Sequence, residues 1–214
     1  MNLSLLKNIG IINTFRLNHH YFGWCGAIRP LIIASRNLKI KKLSGEVKVN
    51  SNKIGAVKIG FGNVGIIDNK YRRTLWENND TIIFRGKVSL CAGTKISCSG
   101  KLSFGDRCHF NGNSDIVCFN SIEFGNECLV SWECLFMDTD FHALYDSDSN
   151  TQINMNKPIF VGNHVWIGCR TTILKGSTIP DGSVIAACSV ITKKLKESNC
   201  VYASNDVLKR NISW

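Results

Sequence analysis

The sequence predicts an all-β chain wound as a parallel β-helix, and three observations predict it. An aliphatic residue returns at every sixth position from Val161, at Ile167, Ile173, Ile179, Ile185 and Ile191. Small or β-branched residues fill the fifth place of each unit, at Val165, Thr171, Ser177, Ser183 and Ser189. Upstream, apolar residues recur at a period of twenty in four columns: Phe84, Phe104, Phe124; Val88, Cys108, Cys128; Leu90, Phe110, Val130; and Ile96, Ile116, Phe136. A period of six fits neither a long helix nor a long flat strand. It fits a solenoid in which each unit is one short strand and a turn, three units close a triangular coil, and the aliphatic residue points inward. Twenty residues are then three units with two extra turn residues.

In chain order, Leu3, Leu6, Ile9, Ile12 and Phe15 have helix-like spacing and predict a short amphipathic helix over residues 3–17, joined through Pro30 to the solenoid. The pairs Ile54-Gly55 and Ile59-Gly60 put the start of the coils near residue 45. The expected layout is an N-terminal basic, amphipathic extension over 1–44, a β-helix domain over 45–200 and a tail over 201–214. Residues 138–160 break the repeat with Asp146, Asp148, Asn150, Asn154 and Asn156 and end at Lys157-Pro158, so they predict one loop extruded from a corner.

Two hundred and fourteen residues suffice for one domain with a real core, and no apolar run approaches the roughly 18 residues of a spanning helix. The net charge is +10, and residues 1–53 hold nine basic residues against Glu46 alone. That quarter suits an anionic surface, either nucleic acid or the cytoplasmic face of a membrane, or else a solvated charged face. The opening MNLSLLKNIGIINTF lacks a long apolar core and a small-residue cleavage site, so a cytoplasmic, reducing compartment is expected. The ten cysteines contain no C-x-x-C pair, which argues against zinc, and their columns with Val make most of them core residues.

Loops thrown out of rigid folds carry chemistry. The segment Met137-Asp138-Thr139-Asp140-Phe141-His142 places a histidine among acids at such a loop, which makes His142 the general-base candidate. His19 and His20 lie in the N-terminal arm, and His109 and His164 fall at outward repeat positions.

The segments His164-Val165-Trp166-Ile167-Gly168, Ile173-Leu174-Lys175-Gly176 and Val184 to Lys193, with DTDFH at 138–142, resemble the left-handed β-helix acyltransferases. More narrowly, they resemble the sugar O-acetyltransferases of capsule and lipopolysaccharide assembly and the galactoside acetyltransferases. The likeness covers residues 80–205. It implies a left-handed coil, a homotrimer, and direct acetyl transfer from acetyl-CoA in clefts between subunits, without a metal. His142 matches the general base, and Trp166 matches a cleft tryptophan whose indole N–H lies near the reacting oxygen. Asn111 and Asp140 fall at acceptor-contacting positions. Trp166, Cys169, Ala187, Thr192, Lys193 and Lys194 fall along the CoA path, and Lys196 and Arg210 are further cations for its phosphates. A glycan or lipid-linked sugar acceptor, peripheral contact with an anionic membrane and no nucleic acid complete the implied picture.

Three departures stand out. Ile185-Ala186-Ala187-Cys188-Ser189-Val190 has side chains where the resemblance has two glycines. Ala203-Ser204-Asn205-Asp206 lacks the usual proline, and Phe119 replaces an acceptor-binding Asp. Other readings remain: an N-acyltransferase for an amino sugar or antibiotic, or a non-catalytic glycan-binding trimer. A zinc-dependent carbon dioxide hydratase is disfavoured because the five histidines do not stack in columns. An acyl-enzyme route through Cys134 or Cys169 is the last alternative.

Overall fold

A parallel ladder needs every rung to present like residues over like, and the columns read above meet that demand. The computed structural model describes residues 8–62, 64–65 and 72–214. Its strands form three sheets of nine, seven and six strands, with sequential strands falling on successive sheets, so the chain winds round a three-sided prism. Pairing is parallel and in register: Phe84, Phe104, Phe124 and Val161 stand one over the next, as do Leu90, Phe110, Val130, Ile167 and Ile185. We name the faces A (nine strands), B (seven) and C (six).

The interior is a stack of apolar side chains. The rings of Phe84, Phe104 and Phe124 lie parallel with centroids 5.2 and 5.4 Å apart, and Phe110 meets Phe124 edge-on at 4.9 Å. Cys98, Cys108, Cys118, Cys128 and Cys134 are buried inside the same stack. The serines and threonines of the fifth places are buried too, and Ser177 donates its hydroxyl to Ile191 O at 3.0 Å. At the corner between faces C and A each coil caps its neighbour. The Asn126, Asn163 and Asp181 side-chain oxygens accept the N–H of Asp106, Asn126 and Asn163 at 2.7–2.9 Å. Glycine is needed there because a Cβ on Gly125 would lie 2.6 Å from the main chain of Gly162.

Several boundaries differ from the sequence reading. Stacking begins at Ile32–Ala34, paired with Val57–Ile59, well before residue 45. Residues 201–214 are also not a bare tail: Val201–Ala203 adds a strand to face A, and Asp206–Lys209 folds back antiparallel on it. Asp138 and Thr139 are buried rather than part of the loop, since both Asp138 carboxylate oxygens accept main-chain N–H groups, from Phe119 and Asn120, at 2.7 and 2.8 Å.

The helix departs most. It is α1, Ile11–Ile28, and it turns a polar side inward; Leu3 and Leu6 lie outside the described residues. Ile32–Ala34 is an edge strand whose main-chain groups need partners. Thr14 accepts Ala34 N–H at 3.1 Å, while Asn18 accepts Ile32 N–H at 3.1 Å and donates to Ile32 O at 2.7 Å. Thr14, Leu17 and Asn18 are therefore buried, and Ile12 and Phe15, expected inside, are exposed.

Two outcomes follow for stability. Phe104→Ala opens a hole between two stacked rings and should cost about 3–5 kcal/mol, read by urea unfolding. Burial pushes the Cys91 and Cys134 thiols up to about 11. A raised thiol pKa means the folded chain holds its proton more tightly. That contribution is full below the ordinary thiol value of 9.0 and is lost as pH rises toward about 11, so unfolding midpoints should fall through that window and fall less in Cys91→Ala/Cys134→Ala.

Candidate active site

The extruded loop leaves face B after Leu135–Met137 and rejoins face C at Ile159–Val161. Its root is pinned at three points. Asn154 donates its side-chain amide to the Asp140 carboxylate at 2.9 Å and to His142 O at 2.8 Å, and its Oδ1 accepts Leu144 N–H at 2.7 Å. Lys175, from the next coil, pairs with Asp140 and donates to Asn154 O at 2.8 Å. Lys175 first, and Asn154 second, hold the Asp140 carboxyl below the usual carboxylate range. Asp140 thus fastens the loop, and among the described residues it makes no hydrogen bond to the imidazole.

His142 stands exposed at this root, and among the described residues nothing hydrogen-bonds its imidazole. A recess of about 450 Å³ opens beside it, lined by Phe119, Thr139, Phe141, His142, Asn154 and Asn156. Phe119 and Phe141 meet edge-on at 5.1 Å and are both exposed, so the departure at Phe119 gives the recess an aromatic wall. A nitrogen free to take a proton and a flat apolar wall share one opening.

The other expected residues lie elsewhere on the prism. Trp166 is on the outer side of face A, 39% exposed, with its indole N–H donated to Ser131 Oγ at 3.2 Å. Trp214 was not singled out in the sequence; it stacks on His164 at 4.3 Å and tilts against Trp166 at 5.9 Å. Asn111 lies two coils from Trp166 on the same face, with its side-chain oxygen 3.2 Å from His109 Nε2. A single chain therefore brings His142 and Asp140 together but leaves Trp166 and Asn111 on another face.

Cys169 and Ala187 share the corner between faces A and B, where Cys188 N–H donates to Cys169 O at 2.9 Å. Cys188, at a glycine position of the resemblance, has a φ of 60°, and Ser204 has 51°, so both keep the left-handed turn that glycine makes easily. Thr192, Lys193 and Lys194 are exposed at the top of face B. The main-chain donors at the top of face B are partly taken, since Ser204 Oγ accepts Val190 N–H at 3.2 Å and Asn205 Oδ1 accepts Thr192 N–H at 3.1 Å. Arg210 is held by Glu197 at 2.6 and 2.9 Å, which removes it from the cations open to a phosphate. Lys193, Lys194 and Lys196 have no ion pair among the described residues, so the charge for a phosphate is present. Cys134 is buried with its thiol pushed up by desolvation, which disqualifies it as an acyl carrier.

Fastening predicts consequence. Asn154→Ala should free the His142 segment, seen as faster amide exchange and faster proteolytic cleavage within 140–158, with the unfolding midpoint of the coils unchanged.

Comparison with known proteins agrees with this architecture. Residues 158–193 match the bacterial transferase hexapeptide (six repeats) family. A polysialic acid O-acetyltransferase of Escherichia coli O1:K1 / APEC is 31% identical over 132 residues, covering 60% of this chain and 43% of that protein. A 24.8 kDa protein in the cps region of Klebsiella pneumoniae is 29% identical over 187 residues, covering 86% of this chain and 81% of that one. The crystal structure of the polySia specific acetyltransferase NeuO superposes with a TM-score of 0.52 at 24% identity, over 86% of this chain and 78% of that chain. The chain spans less than half the length of the E. coli enzyme it matches. Repeats and prism agree: residues 158–193 are similar to the hexapeptide-repeat transferases, and the fold is that of the left-handed β-helix acetyltransferase NeuO.

Proposed function

We propose that the protein transfers an acetyl group from acetyl-CoA to a hydroxyl of a surface-polysaccharide sugar of the capsule or lipopolysaccharide type, with His142 as general base. The observation that carries this reading is the exposed, unbonded imidazole of His142, fixed by Asn154 and Lys175 beside an aromatic recess. A neutral imidazole nitrogen takes a hydroxyl proton as the oxygen attacks a thioester carbonyl. The C–O bond forms, the tetrahedral oxyanion collapses with loss of the C–S bond, and the imidazolium returns its proton to the departing thiolate. Phe119 and Phe141 offer a wall for the C–H face of a sugar ring.

Trp166 is the second participant. Ser131 fixes the indole plane, and a move of that N–H from a neutral hydroxyl to a developing oxyanion trades a weak acceptor for a charged one. Because His142 and Trp166 lie on different faces of one chain, we infer a homotrimer in which the loop of one subunit meets face A of its neighbour. CoA would run along that seam past Cys169 and Ala187, with Thr192 beside it and its phosphates at Lys193 and Lys194; its pantetheine would have to find main-chain partners other than Val190 and Thr192 N–H. The work sits in the cytoplasm, where acetyl-CoA is made available.

The test is CoA release from acetyl-CoA in the presence of capsular or lipopolysaccharide oligosaccharides, with mass spectrometry of the product. His142→Ala should lower kcat by about 10²–10⁴-fold with the coil intact, and Trp166→Phe, which keeps the ring but not the donor, by about 10²–10³-fold. Release undiminished in His142→Ala overturns the mechanism. Product acetyl that survives mild base is an amide and would replace the hydroxyl by an amine.

A further inference from the structure

The outer face of α1 is the largest feature left unexplained by the catalytic reading. A helix that caps a solenoid end ordinarily shows water its polar side, and α1, though it buries Leu17, also shows water several large apolar side chains. Its inward side spends Thr14 and Asn18 on the edge strand. Its outward side exposes Ile11, Ile12, Trp24 and Ile28 at 79, 74, 67 and 77%, together with Phe15. Gly23, with φ 64° and ψ −160°, kinks the helix, and Trp24 folds back against His19 at 4.6 Å and Phe15 at 6.0 Å. Ile54, also exposed, continues the patch, because Gly55 N–H donates to Pro30 O just past the helix end.

Charge says what covers this face. No Asp or Glu occurs in residues 1–45. Arg16 and Arg29 flank the apolar side chains, exposed and without an ion pair among the described residues, and Lys53 and Lys58 line the cleft that begins at Ile33 and Ile54. That cleft also holds Arg85, Lys87 and one acid, Asp106, while Glu46 and Asp80 sit in the recess beside His20 and Tyr21, with Glu46 paired to Lys48. Apolar and aromatic side chains ringed by cations, on a helix too polar to span, match the interface of an anionic bilayer. We propose that the outer face of α1 seats the N-terminal end of the prism on an anionic lipid surface, with Trp24, Ile28, Ile11 and Ile12 entering the headgroup layer and Arg16 and Arg29 meeting lipid phosphates. If the acceptor is lipid-linked, which rests on the proposed function, this seating brings the enzyme to it.

The experiment is vesicle co-sedimentation of the full chain, free of any activity readout, so its result stands apart from that of the acetyl-transfer assay. The chain should pellet with vesicles of equal phosphatidylcholine and phosphatidylglycerol, and pellet weakly with phosphatidylcholine alone. Arg16→Glu/Arg29→Glu should weaken binding by about tenfold or more and abolish its salt sensitivity, and Trp24→Ser/Ile28→Ser should weaken it by about tenfold. The substituted side chains are exposed, so melting temperatures should hold. Should the serine variant fail to fold, quenching by brominated lipid, lost in Trp24→Phe, reads the same insertion. No binding, equal binding to neutral vesicles, or variants that bind like the parent would overturn the proposal. A fall in oligomeric mass in Trp24→Ser/Ile28→Ser would overturn it as well, by assigning the face to a second copy of the chain.

Discussion

Vertical register is the constraint on which the rest of this molecule depends. Each strand is only two to six residues long and could not persist alone. What holds it is the strand above and the strand below, in parallel register, with the same kind of side chain at the same height. A one-residue slip would turn the interior column outward, so the six-residue unit is fixed far more tightly than any single residue identity. That is why Phe, Cys, Leu, Val and Ile can share columns, while the register of Leu38–Leu43 against Thr74–Asn78 shifts by one residue, between Ile40 and Lys42.

Such a frame is stiff, and its interior is filled by stacked rings and aliphatic chains. Chemistry has to be held outside it. The loop between residues 139 and 159 meets this need without becoming slack: Asn154 closes the loop on itself, and Lys175 ties it to the coil above through Asp140. The imidazole of His142 is positioned through its main chain rather than through its ring, which leaves both ring nitrogens open. His142 is exposed at the loop root, whereas Trp166 is on the outer side of face A. The proposed trimer rests on this separation of His142 from Trp166 on one prism.

The interior was readable in the sequence because its signal is periodic. The columns through Phe104, Phe110 and Ile116, and the run from Val161 to Ile191, stand where the spacing put them. What escaped the reading is non-periodic and long-range. Asp138 looks like a loop residue, yet it is buried because two N–H groups from the previous coil converge on it. Lys175 and Asp140 are 35 residues apart in the chain, Lys175 and Asn154 are 21, and no local pattern joins them. Ser204 and Asn205 were noticed as a departure from a motif, but that they close the top edge of face B depends on the hairpin folding back. The helix was misread in its facing for a physical reason. Periodicity reports where apolar residues recur, and at α1 the core-side partner is an open strand edge, which wants hydrogen bonds and not methyl groups.

The two ends of the prism show how that demand shapes the chain. An open solenoid end exposes unpaired main-chain groups and invites further stacking. At the top, a hairpin and the side chains of Ser204 and Asn205 satisfy the last strands. At the bottom, Thr14, Asn18 and Asn13 satisfy the first, Asn13 by donating to Ser35 O and Leu38 O at 3.1 and 2.8 Å. Capping with polar side chains leaves room on the inward side for only a few apolar residues of α1, Leu17 with Tyr21 and Phe22, so Ile11, Ile12, Phe15, Trp24 and Ile28 remain outside. Large apolar side chains left exposed cost solubility unless covered, so Ile11, Ile12, Ile28 and the Phe15–Trp24 pair at this end are the strongest sign that something beyond this chain completes it.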